Sequence, residues 1–236
     1  MSRTLLQSVM CGWLLLVPLM VSPVVHAGPA FDALPVEDAT AGLRQALAQG
    51  AEVAVAQLGK PGGYAGNPRV RIPLPASLEK GRPVLSRLGM DPQMEQLEQT
   101  MNKAAEAAVL EAKPVLVNAV KQMSVADAKA ILSGNDTAAT DYFRRTTSED
   151  LTARFLPIVK KYTDQLGITK QYSQMAKPLA SLGMLSQSQT SLDGYVTQKA
   201  LDGLFLMVAE EEKAIRRDPL GQSSDVLKKV FGALKK

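Results

Sequence analysis

Between Thr190 and Asp218 the apolar residues Leu192, Tyr195, Leu201, Leu204, Phe205 and Val208 recur at helical spacing. That period commits the segment to a long α-helix with one buried face. Thr190 and Ser191 precede it, and Asp218-Pro219 stops it. The same period runs through most of the chain. Leu43, Leu47, Ala54 and Leu58 define a helix from near Glu37, closed by Gly59 as a C′ residue. Helical pattern resumes at about Ala76 and reaches Gly89. Asp91-Pro92 then opens a long helix, with Pro92 at a tolerated first-turn position. This helix passes through the alanine-rich residues 104–108, and Pro114 is expected to kink or divide it.

Ser124 with Asp127 forms a capping-box pattern for a short helix ending at Gly134. A further helix is expected over residues 136–146. Thr147 with Asp150 repeats the capping pattern and predicts a new helix reaching Gly167, bent at Pro157. Another is expected from Thr169 to Leu182, with Pro178 inside it. Ser224 caps a last helix bearing Val226, Leu227, Val230, Phe231 and Leu234. Alternating β-branched runs are scarce, and no tandem repeat is visible. The expected fold is therefore all-α: a single multi-helix bundle of about seven or eight helices, several kinked by proline, with one long Gly/Pro-rich loop.

The first 27 residues read as a cleavable signal peptide. Arg3 supplies the positive start, an apolar run extends from Gly12 to Val25, and Val25-His26-Ala27 places small residues at the −3 and −1 positions. A spanning helix needs roughly 20 apolar residues. This run is shorter and contains Pro18 and Pro23. Cys11 precedes the apolar core and follows Met10, so a lipid-anchored product is not favoured. Residues 28–236 are expected to form one helical domain, delivered to the periplasm.

Cleavage after Ala27 removes Cys11, Trp13 and His26, each the only residue of its kind in the chain. The mature protein then has no imidazole for a Ser-His-Asp relay. It also has no thiolate for catalysis or metal binding, and no usual haem ligand. No cofactor, catalytic residue or metal ligand is assigned. Carboxylate, lysine, arginine, tyrosine and hydroxyl chemistry remains, including oxygen-ligated Mg²⁺ or Ca²⁺. Basic and acidic residues are interleaved and aromatics make up only 5% of the chain, which disfavours nucleic-acid binding.

Residues 59–75 are the least helical in the chain, with Gly62, Gly63, Gly66, Pro61, Pro68, Pro73 and Pro75 among them. A loop of that length tends to be functional or disordered. It is expected to pack on the bundle and contribute to any binding site. Its polar residues Lys60, Tyr64, Asn67, Arg69 and Arg71 are candidate ligand contacts. Lys199 and Asp202, at the border of the long C-terminal helix, join that set. Glu210, Glu211 and Glu212 do not converge on a helix, and Glu212 with Arg216 is read as a solvated i,i+4 pair. Asp141, Arg144 and Arg145 lie within one turn and are read as an intrahelical ion pair. The last helix sets its apolar stripe against Lys228, Lys229, Lys235 and Lys236. It can lie on an anionic membrane, but docking on the protein's own bundle is favoured, with Lys228 and Lys229 facing solvent.

Three stretches together carry a resemblance. They are Leu58-Gly-Lys-Pro-Gly-Gly-Tyr64 with Arg71-Ile-Pro-Leu-Pro75, Ala138-Ala-Thr-Asp-Tyr-Phe143, and Tyr195-Val-Thr-Gln-Lys-Ala-Leu-Asp-Gly-Leu-Phe205. The third leads through Glu211-Glu212 to Ile215-Arg-Arg-Asp-Pro219 and Leu227-Lys-Lys-Val-Phe-Gly232. The chain resembles an exported bacterial family catalogued as the domain of unknown function numbered 4197. The resemblance implies a helical fold and a periplasmic address, and it transfers no activity. Taken together, these readings favour a non-enzymatic binding or structural module that takes an unidentified protein or small-molecule ligand. A carboxylate- or metal-dependent enzyme and a peripheral membrane protein are the alternatives.

Overall fold

The computed structural model describes residues 36–165, 167–183 and 191–217. The expected signal peptide and the expected last helix both lie outside the described residues. Within them the fold is an all-α bundle. The elements are α1 (Val36–Leu58), α2 (Ala76–Arg87), α3 (Asp91–Ala108), α4 (Ala112–Gln122), α5 (Val125–Ser133), α6 (Ala138–Gln165), α7 (Ile168–Ser181) and α8 (Leu192–Arg217).

Helices α6 and α8 form the central pair. Helix α3 packs on both, and α1 packs on α8 and α4. The core between them holds Leu43 and Leu58 of α1, Leu97 and Met101 of α3, Phe143 and Phe155 of α6, and Leu204 and Phe205 of α8. These are large apolar side chains at 3.6-residue spacing, each worth roughly 1.5–3 kcal/mol on full burial. Ser191 accepts from the Gly194 amide at 3.1 Å and caps α8.

The division at Pro114 also follows expectation. The chain turns through a short 3₁₀ segment, Val109–Glu111, and restarts as α4. Pro114 thereby falls in a first turn, where its missing N–H costs no helical bond. Both halves of the capping box at α5 are made. Ser124 Oγ accepts from the Asp127 amide and Asp127 Oδ2 from the Ser124 amide, each at 3.1 Å.

Two expectations are corrected. The predicted boundary at Thr146 and Thr147 does not exist, and α6 runs unbroken for 28 residues. Thr147 is buried and its Oγ1 donates back to the Phe143 carbonyl at 2.7 Å, inside its own helix. That intrahelical bond replaces the capping role the pattern suggested. Gly59 does end α1, but not in the left-handed conformation usual at C′. An added Cβ there would lie 2.3 Å from Cδ2 of Leu110, an exposed side chain that would have to swing aside.

Candidate functional site

The candidate residues of the 59–75 segment lie along two helices. Tyr64 is fully buried, and its hydroxyl donates to the Ala200 carbonyl of α8 at 2.7 Å. Its ring rests on Gly203, where any Cβ would fall 2.7 Å from Tyr64 Cε1. Asn67 Nδ2 reaches the Met207 sulfur at 3.8 Å, and Arg69 pairs with Glu210 at 2.9 Å. Tyr64, Asn67 and Arg69 therefore contact successive turns of α8. Arg71 turns the other way and pairs with Glu98 of α3 at 2.7 Å. Lys60 is exposed at the start of the segment, and Lys199 pairs with Asp202 at 3.7 Å on α8 itself. The segment is a strap over α3 and α8, and it does not gather the seven residues into one cleft.

Two buried side chains that sequence reasoning did not single out hold this strap. Glu106 of α3 is 8% exposed, and its Oε1 accepts the amides of Tyr64 and Ala65 at 3.2 and 3.3 Å. Asn102, one turn earlier, accepts from the Ile72 amide and donates to the Ile72 carbonyl, both at 2.9 Å. It thus satisfies both backbone groups of a residue that has no strand partner. Burial, and secondarily the charge of Glu106, pushes the Tyr64 phenol far above its ordinary range.

The acidic run on α8 disperses as expected: Glu210 meets Arg69, and Glu211 accepts from Gln57 Nε2 at 3.1 Å. The Arg69 hydrogen bond holds the Glu210 carboxyl below its usual range. Glu212 departs from expectation. It is 4% exposed rather than solvated, and it faces the start of α6. It accepts from the Ala139 amide at 3.0 Å, and from the Thr140 amide and hydroxyl at 2.9 Å. Arg216 pairs with it at 2.9 Å and donates to the Ile131 carbonyl at the end of α5. One i,i+4 pair of α8 therefore caps two other helices.

The concave surface of interest lies on the other side of that junction, between α4, α5 and α6. Two pockets of about 230 and 480 Å³ flank Tyr142 and Arg145. Tyr142 forms the floor, with its hydroxyl donating to the Ala119 carbonyl at 2.8 Å. The Arg145 guanidinium lies 5.7 Å from the Tyr142 ring centre and 3.5 Å from Asp127. Arg145 reaches into α5 instead of forming the expected ion pair with Asp141 in its own turn. Asp141 lines the smaller pocket and Asp150 the larger, where Asp150 pairs with Arg154 of its own helix at 2.9 Å. The Ser124 hydroxyl and amide, with Arg145 contributing less, hold the Asp127 carboxyl below its usual range. Burial raises the Tyr142 phenol. The Asp127 capping pattern and the Arg144-Arg145 doublet were visible in the sequence, but nothing local joined them.

A family described as "Protein of unknown function (DUF4197)" matches residues 33–232. The chain belongs to this family. No curated protein and no solved structure matches it. The DUF4197 match spans both the strap and the groove, and it continues past α8 to Gly232. Among the described residues of this DUF4197 chain, no group of three or more acidic, histidine or cysteine side chains is placed to hold a metal ion. None of its described helices is long and apolar enough to cross a membrane.

Proposed function

We propose that this DUF4197 chain is an exported periplasmic protein that works as a non-enzymatic binding module through its α4–α5–α6 groove. The observation carrying this reading is the groove itself. It is an open concavity with an aromatic floor, one guanidinium, three carboxylates and the side-chain amides of Asn118 and Gln122. Convergent polar side chains beside an aromatic ring can fix the orientation of a bound ligand. Elsewhere the buried polar side chains Glu106, Asn102 and Glu212 bond to backbone and hold the bundle together. The leader pattern ending at Ala27 supports export, as does a family match that begins only at residue 33.

Amide NMR of the purified chain, titrated to about 1 mM with pools of amino acids, short peptides and polyamines, tests the binding role. Shifts are expected to cluster within residues 118–150 for at least one pool, and to be lost in Arg145→Glu. Shifts confined to other surfaces, or conversion of a pool component to product, would contradict it.

A further inference from the structure

We infer that the groove takes a basic amphipathic helix, and that its resident occupant is this chain's own C-terminal segment, residues 224–236. The inference rests on reading the groove as a binding face and names the class of partner. Four observations support it.

The first is position. Arg216, the penultimate residue of α8, donates to the Ile131 carbonyl at 2.8 Å, and Ile131 lines the smaller pocket. The last turn of α8 is therefore tied through the Arg216 side chain to α5, one wall of the groove. Residues 218–223 can span up to about 20 Å when extended.

The second is length. From Ala138 to Asp150 the groove follows α6 for about 18 Å, and a helix of residues 224–236 measures about 20 Å.

The third is pattern. At about 100° per residue, Ala233, Val226, Val230, Leu234, Leu227 and Phe231 fall on one continuous arc. Lys229 borders that arc on one side, with Lys228 and Lys235 on the other. The groove presents an apolar floor of Ala119, Ile131, Ala138 and Tyr142 with Asp127, Asp141 and Asp150 around it, of which Asp127 already pairs with Arg145 and Asp150 with Arg154, so Asp141 is the carboxylate the lysines meet most directly. The lysines thus keep one side in solvent while facing carboxylates.

The fourth is continuity: one family match covers both the groove and the segment as far as Gly232.

Hydrogen exchange read by mass spectrometry tests this, comparing the full chain with one ending at Gln222. Truncation is expected to speed exchange at least tenfold in peptides covering α5 and residues 138–150, leaving α2 and α7 unchanged. A synthetic peptide of residues 221–236, added at about 100 μM, should restore protection, and one with all four lysines replaced by glutamate should not. Unchanged exchange in the groove, or a change confined to another face, overturns the proposal. So does protection that appears only with concentration-dependent dimerisation, which would make the occupant a second copy. Loss of binding to anionic vesicles on truncation, with groove exchange unaltered, would place the segment on a membrane and overturn it as well. None of these readouts uses an added small ligand, so the tail can fail to dock while the binding reading survives.

Discussion

Replacing Glu212 with leucine is expected to lower unfolding free energy by about 3–5 kcal/mol. Removing one partner of a buried pair leaves the other uncompensated, and that penalty dominates. Here Arg216 would remain 15% exposed beside an apolar side chain. The Ala139 and Thr140 amides would lose their acceptor at the same time. Those amides belong to the first turn of α6, where no intrahelical carbonyl is available. Glu212→Gln keeps an acceptor but loses the charge, so roughly 2 kcal/mol is expected. Urea unfolding of the two variants and of Arg216→Leu measures these values. The double variant should be less damaging than the sum of the singles, because the pair is lost once. A Glu212→Leu variant within about 0.5 kcal/mol of the parent would show that the junction of α5, α6 and α8 does not depend on this carboxylate.

Tyr64→Ala is expected to cost a similar amount, about 3–5 kcal/mol, for a different reason. It empties a fully buried ring site between the strap and α8. Large-to-small changes in such sites lose transfer energy and leave a cavity. Tyr64→Phe keeps the ring and loses only the bond to the Ala200 carbonyl, for about 1 kcal/mol. Gly203→Ala should be damaging in the parent, since its Cβ meets the ring at 2.7 Å. In Tyr64→Ala it should be much less damaging, because the ring is gone and only the Val70 Cβ, at 3.3 Å, remains close. Thermal unfolding of the four chains gives this cycle directly. Equal damage from Gly203→Ala in both backgrounds would refute the seating of Tyr64 on Gly203.

Most of the helices were legible because burial on one face imposes a period that residue type alone reveals. Leu192, Tyr195, Leu201, Leu204, Phe205 and Val208 were read as one face, and all are buried together except Tyr195, which is half-buried at its border. Ser124 and Asp127 were legible because both halves of a capping box lie within four residues. Thr147 with Asp150 shows the same pattern and means something else. A threonine that donates to its own helix looks identical in sequence to one that accepts at a helix start. Glu212 with Arg216 was misread for a related reason. An i,i+4 pair is the same string on a wet face or a dry one. What buries it is the start of α6, some 72 residues away. The polar residues of the strap were noticed, and the structure gives Tyr64, Asn67, Arg69 and Arg71 partners on α3 and α8 while Lys60 stays exposed. Asn102 and Glu106, which fasten it, sit among alanines on a helix and carry no local mark. The groove was invisible because α4, α5 and α6 contribute to it from separate segments.

Throughout this fold, buried polar side chains fasten non-helical backbone and helix ends, and the 59–75 strap is the plainest case. Native-state amide exchange at neutral pH tests that most directly. The Tyr64 amide is held by buried Glu106 and the Ile72 amide by buried Asn102. Both should exchange as slowly as the core amides of α3, although neither lies in a helix. Exchange of Tyr64 and Ile72 at the rate of an open loop, with α3 still protected, would contradict the account.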